Sequence, residues 1–197
     1  PNIRADILEP QDMTLFKQAG TVSAAFAIET TSPRLQKMIH KNLNIERAVG
    51  TINASVRMGI YSMGYFMIGF PTETLAEAYD TANFADRSLL HRALFYIPVP
   101  FAGTELADMS SEFLKRKSDI INACQMHYYD HSLNMSAMSD RELQKVFQYA
   151  YRRFYLNPKR ILRLAIHHPN ILSLPYYASL TLSRSFPRSY KSTKCSM

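Results

Sequence analysis

The sequence predicts an α/β fold in which parallel strands form half of a (β/α) barrel and an α-helical extension follows. Three observations predict it. Short apolar runs alternate with segments of helical period over residues 1–108, which is typical of parallel sheets with crossover helices. Only helical patterns follow that region. The first strand also begins at the start of the sequence, with nothing to cover its neighbour, which favours half of a barrel over a complete doubly wound sheet.

Two strands and three helices are predicted before residue 60. The strands are Asn2–Leu8 and Val22–Ile28, and the second is a continuous apolar run typical of a strand buried on both faces. Gly20 and Gly59 fit the left-handed position that follows a helix. The helices begin at residues whose side-chain oxygens can accept a hydrogen bond from the first turn, namely Asp12, Ser32 and Asn44.

A third strand, a helix and a fourth strand complete the predicted half barrel. The strands are Tyr61–Phe70 and Ala93–Val99. Thr74 and Glu77 form a capping-box pattern, in which each residue can bond the backbone N–H of the other, and this pattern predicts the start of the intervening helix.

The extension is predicted to be helical. Ser139 and Glu142 form a second capping-box pattern, and apolar residues then recur at helical spacing. We therefore divide the chain into the half barrel (1–108), the helical extension (109–175) and a tail rich in Ser, Arg and Lys (176–197). Because the chain begins with Pro1 rather than Met, we expect it to be part of a longer sequence.

Charge is concentrated at the end of the chain. The last 55 residues carry ten Lys+Arg and no acid, and the whole chain has a net charge of +7. No apolar run approaches the ~20 residues of a membrane-spanning helix. In the stretch from Lys159 to Ile166, aliphatic residues alternate with basic ones, which is compatible with contact with an anionic membrane surface. Nucleic acid is the less favoured partner, since a basic patch alone does not indicate it.

Two strand ends carry candidate functional residues. In a parallel barrel the reactive groups lie where the strands end. Glu29 ends an apolar strand, where a carboxylate either binds a cation or donor, or lies at the rim in water or paired with Arg4. Gly69 lies between a strand and Pro71, where a backbone can approach a flat ligand closely or simply turn. The residues alone leave both pairs of alternatives open.

Three sequence blocks resemble a known family. The segments "AGTVSAAFAIETTSPRLQKMIHK", "MGYFMIGFPTET" and "PFAGTEL" are similar in order and spacing to the second half of radical S-adenosylmethionine (radical SAM) enzymes. They most resemble the class with an upstream cobalamin (B12)-binding domain, whose C-terminal extension is similar to "AYRRFYLNPKRI". The resemblance implies that S-adenosylmethionine chelates a [4Fe-4S] cluster at the barrel mouth and is cleaved to a 5'-deoxyadenosyl radical.

The resemblance also implies which residues contact the cofactor. Glu29 matches the acidic residue expected near bound S-adenosylmethionine, and Thr30 stands beside it where the family often has Ser. The backbone of Ile68, Gly69 and Phe70 is expected along the adenine. Three positions depart from the family pattern: Ala27 and Thr72 stand where Gly is usual, and Ala102 where Pro is usual.

The three cysteines that hold the cluster are expected upstream. The chain has only Cys124 and Cys195, which are far apart, so it is predicted to supply no metal ligands. We expect it in the reducing cytoplasm, with peripheral contact at the inner face of the membrane. The sequence does not identify the substrate, which is either a small molecule or a lipid-like molecule. The alternative function is a non-catalytic half barrel that docks to membrane or RNA through its basic tail. A complete nucleotide-binding protein is least favoured, because no glycine-rich phosphate loop occurs.

Overall fold

The computed structural model describes residues 2–111 and 133–167, and also residues 172, 175, 176 and 179. Within these ranges four strands alternate with helices, and two further helices follow near the end. In chain order the elements are β1 (Asn2–Ile3), α1 (Asp12–Gln18), β2 (Ser23–Glu29), α2 (Pro33–Met38), α3 (Ile45–Arg57), β3 (Tyr61–Met67), α4 (Leu75–Arg87), β4 (Arg92–Tyr96), α5 (Glu105–Met109), α6 (Asp140–Tyr155) and α7 (Pro158–His167).

The strands form one parallel sheet in the order β1-β2-β3-β4. Each strand therefore pairs with the next one in the chain, and the order never reverses. Since crossovers between parallel strands are right-handed in nearly all proteins, a sequential order places the helices on one face, as in a (β/α) barrel. A doubly wound sheet reverses its order and carries helices on both faces. The predicted α/β half barrel is confirmed.

The two faces of the sheet differ in burial. One face packs against the helices, and its central residues Phe26, Phe66 and Phe95 are fully buried in the main hydrophobic core. On the other face Tyr65 and Tyr96 are only half buried, with ring centroids 6.0 Å apart. A barrel would turn this second face inward.

The four predicted strands are present, with shorter or shifted bounds. The first was predicted as Asn2–Leu8 but ends at Ile3, because the chain then turns: the Ile7 N–H bonds the Arg4 carbonyl. The strand predicted as Val22–Ile28 lies one residue later. The strand predicted as Tyr61–Phe70 ends at Met67, because the N–H groups of Gly69 and Phe70 donate to the Glu73 carboxylate and not to a neighbouring strand.

The fourth strand was predicted as Ala93–Val99 and runs from Arg92 to Tyr96. Pro98, which has no N–H to donate, follows closely. The predicted extents were therefore wrong at strand ends where local turns compete with the ladder.

The helix caps mostly follow the sequence pattern. Ser32 and Asn44 each accept a hydrogen bond from the first turn, and both predicted capping boxes form. Gly20 and Gly59 have positive φ angles, as predicted. The cap at Asp12 was wrong: Asp12 is the first residue of α1, and its Oδ2 accepts from the Glu9 N–H at 2.8 Å, outside the helix.

Helix α6 packs against the half barrel. It lies on α4 and β4, and its inward residues belong to the same core as the sheet: Leu143, Val146, Phe147, Ala150, Tyr151 and Phe154. Because this core is continuous, α6 acts as a further layer over the last strand. The boundaries predicted after residues 108 and 175 stay predictions. Apart from residues 176 and 179, the predicted tail lies outside the described residues.

Helix α7 is anchored by a buried arginine. Arg160 is 2% exposed and its guanidinium donates to five backbone carbonyls: Ala85, Asp86, Ser88, Leu90 and Phe154. The group also lies 3.6 Å from the centre of the Phe154 ring. Three of these carbonyls belong to the C-terminal end of α4 and its cap, where free carbonyls attract cations. In the parts of the chain that the structure describes, no helix is long and apolar enough to cross a membrane.

Candidate functional site

The predicted site residues lie at one edge of the sheet. Strands β2 and β3 are parallel, and Glu29 pairs with Phe66 after a register shift beyond Ala27. The segments that follow the two strands therefore begin side by side. This geometry brings Glu29 and Thr30 to the same edge as Ile68–Phe70, although the two groups are nearly 40 positions apart in the sequence.

Glu29 adopts a backbone conformation that is unusual for glutamate. Its φ angle is +65°, in the left-handed region that costs a residue with a Cβ about 1–2 kcal/mol. Oε1 accepts from the Lys41 ammonium at 2.9 Å, and Oε2 is buried with no hydrogen-bond partner among the described residues. Strain of this kind and an unpaired carboxylate oxygen are both features of binding sites. Glu29 is therefore the best-formed ligand candidate at this edge.

The structural alternative for Glu29, an ion pair with Arg4, was wrong. Arg4 instead lies 2.9 Å from Asp6, and the partner of Glu29 is Lys41. Burial raises the pKa of Asp6, but the Arg4 side chain and the Asn44 N–H lower it by more. The pKa of Asp6 therefore lies below its usual value. Lys41 was not predicted, because it follows α2 at the end of a turn whose path the sequence pattern does not specify.

Thr30 is fully buried and turned toward α4. Its Oγ1 lies 3.3 Å from the Thr81 hydroxyl and accepts from the Ser32 N–H at 3.2 Å. Gln36 donates to the carbonyls of Ile28 and Thr30, which fixes this turn from the other side. The Thr30 hydroxyl therefore bonds within the protein, and a contact between Thr30 and a cofactor stays a prediction.

The turn after β3 is held by a buried carboxylate. Ile68 still belongs to the ladder, since its N–H donates to the Tyr96 carbonyl at 2.9 Å. Gly69 then has a φ angle of +109°, which favours glycine. The N–H groups of Gly69 and Phe70 both donate to Oε2 of Glu73. These two donors are thus occupied, so any contact between this backbone and a ligand has to use other atoms.

Glu73 was missed by the sequence analysis. Its side chain is fully buried, and burial raises its pKa to about 7 against the opposing effect of the two N–H donors. Oε1 has no hydrogen-bond partner within the described ranges. The sequence offers one signal, a carboxylate four positions after the glycine of a strand-to-helix turn. That signal resembles a surface residue of a helix start, so burial could not be predicted from it.

Arg34 joins the turns after β2 and β3. Its guanidinium binds both carboxylate oxygens of Glu77, at 3.0 and 2.7 Å, and donates to the hydroxyl and carbonyl of Thr72. The Arg34 side chain is the largest cause that lowers the pKa of Glu77, to about 2. Thr72 has a φ angle of +63°, the conformation for which glycine is usual, and Arg34 fixes it there.

This edge can bind a donor group. The unpaired Oε2 of Glu29 is a ready acceptor for an ammonium or hydroxyl group. Among the described residues, no group of three or more His, Cys, Asp or Glu is placed to bind a metal ion. Cys124 and Cys195 lie outside the described residues.

Sequence comparison finds curated relatives that are named as transferases. An uncharacterized methyltransferase of Pyrococcus horikoshii is 26% identical over 155 residues, which cover 77% of this chain and 33% of the relative. Cytidylyl-2-hydroxyethylphosphonate methyltransferase of Streptomyces wedmorensis is 28% identical, over 50% of this chain and 20% of its own. A putative methylthiotransferase of Methanocaldococcus jannaschii is 26% identical, over 55% and 24%.

The chain spans about a third or less of these relatives. No protein-family model matches it. Among solved structures, coproporphyrinogen III oxidase of Escherichia coli, a radical SAM enzyme, is similar over 60% of this chain and 31% of its own. The TM-score of this similarity is 0.49 and the sequence identity is 10%. All three sequence relatives are named as enzymes that transfer a methyl or methylthio group.

Proposed function

We propose that this chain is the C-terminal part of a radical SAM enzyme, here called the parent, that transfers a methyl or methylthio group. The observation that carries the proposal is the placement of Glu29: a strained residue at the end of β2, with one carboxylate oxygen buried and unpaired in the described structure. The turn Ile68–Phe70 lies beside it at the same edge. The group transferred is proposed from the names of the relatives.

The residues of this edge fit S-adenosylmethionine in part. Oε2 of Glu29 fits a donor group of the cofactor, while Lys41 holds Oε1 and so fixes the carboxylate. The side chains of Ile68 and Phe70 are buried, so they support this edge of the sheet by packing in the protein interior. The N–H groups of Gly69 and Phe70 do not fit as donors, because Glu73 occupies them. When bound to a cluster and reduced, S-adenosylmethionine supplies the radical that this family uses.

The contribution of this chain is therefore to bind and orient. Lys41 holds the Glu29 carboxylate in place at the edge, and Glu73 with Arg34 fixes the neighbouring turn. Positioning of this kind lowers the barrier to a reaction by restricting the reactants before it begins. We place the cluster ligands, and a cobalamin domain, upstream of residue 1. Both placements rest on the sequence resemblance.

The test is the affinity of the parent for S-adenosylmethionine. Glu29→Gln removes one charge-assisted hydrogen bond, which costs about 1.5–3 kcal/mol, and should weaken binding roughly 10- to 150-fold by calorimetry. Glu105→Gln is the control, because Glu105 is exposed and pairs with His40 rather than with Glu29 or Lys41. Equal affinity of wild type and Glu29→Gln would remove Glu29 from the site.

A second measurement distinguishes the enzyme from a non-catalytic module. Anaerobic reconstitution of the parent with iron and sulfide should give a [4Fe-4S] absorbance and cleavage of S-adenosylmethionine, and the present chain alone should give neither. Stable cobalamin absorbance in the purified parent would support the cobalamin class. A parent that binds neither cluster nor S-adenosylmethionine would favour the module.

A further inference from the structure

Helix α7 turns its aliphatic side chains to solvent. Ile161, Leu162 and Ile166 are 52%, 64% and 66% exposed, and we call these three residues the aliphatic face. Their spacing of one, four and five positions places them on one side of a helix. Leu156, just before α7, is also exposed. Aliphatic residues scattered singly over a surface are ordinary, whereas several on one short helix mark a contact surface.

The arginines of the same helix are turned inward. Arg160 is buried and bound to backbone carbonyls around the end of α4, and Arg163 donates to the Leu89 carbonyl at 2.8 Å. Helix α7 is therefore oriented in the opposite way to a usual surface helix, since its arginines face the protein and its aliphatic residues face solvent. Because two arginines attach one side of α7 to the half barrel, the aliphatic face is held outward by the fold.

The charges around this face select its partner. Exposed cations lie on α6 and at the start of α7, namely Lys145, Arg152 and Lys159. From residue 143 to the end of the chain there are ten Lys+Arg and no acid. A second copy of this segment, or the basic tail of this chain, would bring positive charge against positive charge. An RNA partner would require several outward cations along α7, whereas its two arginines face inward and Lys159 lies at its first turn.

An anionic lipid surface matches both properties. Its acyl region accepts aliphatic side chains, and its headgroups attract Lys and Arg. We propose that α7 docks on an anionic lipid surface, with the aliphatic face inserted at the boundary of headgroups and acyl chains and the cations of α6 and α7 near the headgroups. The contact is peripheral. It does not depend on the proposed chemistry, since none of its residues belongs to the edge that carries Glu29.

The first experiment compares vesicles of phosphatidylcholine with and without phosphatidylglycerol, using the full-length parent. Co-sedimentation should be stronger with the anionic vesicles and should weaken as salt is added. Equal binding to both vesicle types, or binding to RNA without binding to vesicles, would overturn the proposal.

Substitution of the aliphatic face separates insertion from general attraction. The triple variant Ile161→Ser, Leu162→Ser, Ile166→Ser should bind anionic vesicles roughly tenfold more weakly or worse, while charge is unchanged. The control changes three exposed aliphatic residues of the half barrel, Ile7→Ser, Leu15→Ser and Val22→Ser, and should bind like wild type. If the first variant also binds like wild type, α7 does not insert.

A tryptophan reporter tests the position of the helix directly. This chain contains no Trp, so Leu162→Trp adds one on the aliphatic face. Its emission should shift to the blue and be quenched by brominated lipid on anionic vesicles, beyond the change in the unsubstituted parent. Leu15→Trp should show neither effect. A parent truncated after His167 should keep the quenching at position 162, and loss of that quenching would assign the contact to the tail.

Discussion

The hydroxyl of Tyr155 contacts both polar backbone groups of Ala93: it donates to the carbonyl at 2.7 Å and accepts from the N–H at 3.3 Å. Ala93 lies in β4, the last strand of the sheet in the described structure, and these groups point away from β3. Tyr151 adds a longer contact of 3.4 Å to the Phe95 carbonyl. Two tyrosines of α6 thus occupy positions that another strand would need, so the sheet ends at β4.

Tyr155→Phe should open this edge. It leaves the N–H and carbonyl of Ala93 unpaired, which costs about 1–3 kcal/mol. Hydrogen exchange of the β4 amides in the parent, followed by mass spectrometry, should become faster by the factor that corresponds to this free-energy cost. Tyr149→Phe is the control, because its hydroxyl bonds the half-buried Asn83 side chain and not the sheet. Similar acceleration in both variants would contradict the assigned role of Tyr155.

Arg160→Met should loosen α7 and the end of α4. The change leaves several carbonyls and Asp86 without their buried cation, and losses of this kind cost about 3–5 kcal/mol. Arg153→Met is a matched control, since Arg153 lies 3.2 Å from the same carboxylate but is 63% exposed, and its loss should cost about 0–1 kcal/mol. Urea unfolding of the parent measures both, and equal costs would contradict the prediction.

Glu73 should make stability depend on pH. Its pKa is raised from 4.5 to about 7 in the folded protein, so between these values the folded state binds more protons than the unfolded state. Its contribution is therefore fully present below about pH 4.5 and is lost as the pH rises toward 7, by about 3 kcal/mol at most. Glu77, paired with Arg34, acts in the opposite sense and at lower pH, because its pKa is lowered to about 2.

Glu73→Gln isolates this effect. The variant keeps an oxygen that can accept from Gly69 and Phe70 and removes the titration. Urea unfolding of the parent should show that wild type loses stability relative to the variant as the pH rises from about 5 to 7. Glu105→Gln changes an exposed residue, so the difference in stability between wild type and this variant should stay constant over the same pH range. A constant difference between wild type and Glu73→Gln over this range would contradict the prediction.

Replacement of Thr72 by glycine should give a more stable protein than replacement by alanine. Both changes remove the hydroxyl that Arg34 binds, but only glycine relieves the φ angle of +63°. The glycine variant should therefore be more stable by about 1 kcal/mol, which is the opposite of the order in a helix or strand. Thermal unfolding of the two variants in the parent measures the difference, and greater stability of the alanine variant would contradict it.

Local patterns predicted most of the fold. The caps at Ser32, Asn44, Thr74 and Ser139 depend on residues within three positions of one another, so the sequence displays them directly. The strands are visible because burial on both faces requires continuous apolar runs. Strand ends were less predictable, since each depends on which turn captures the next N–H group.

The contacts within the candidate site could not be predicted in the same way. Lys41 approaches Glu29 only because the chain turns after α2, where His40 and Asn42 have positive φ angles that no glycine marks. The burial of Glu73 and Arg160 depends on packing between distant segments. A sequence shows the charge of these residues but not that the fold removes them from water.

During synthesis of the chain, the edge of β4 is exposed until Tyr155, which covers it, has been made. Each strand pairs with the one made just before it, so the sheet can assemble in the order in which the ribosome delivers it. The hydroxyl that seals β4 comes 62 residues after Ala93. At ~5–20 residues per second, the nascent chain carries an unsealed strand for about 3–12 s, during which a neighbouring nascent chain can pair with it or a chaperone can shield it.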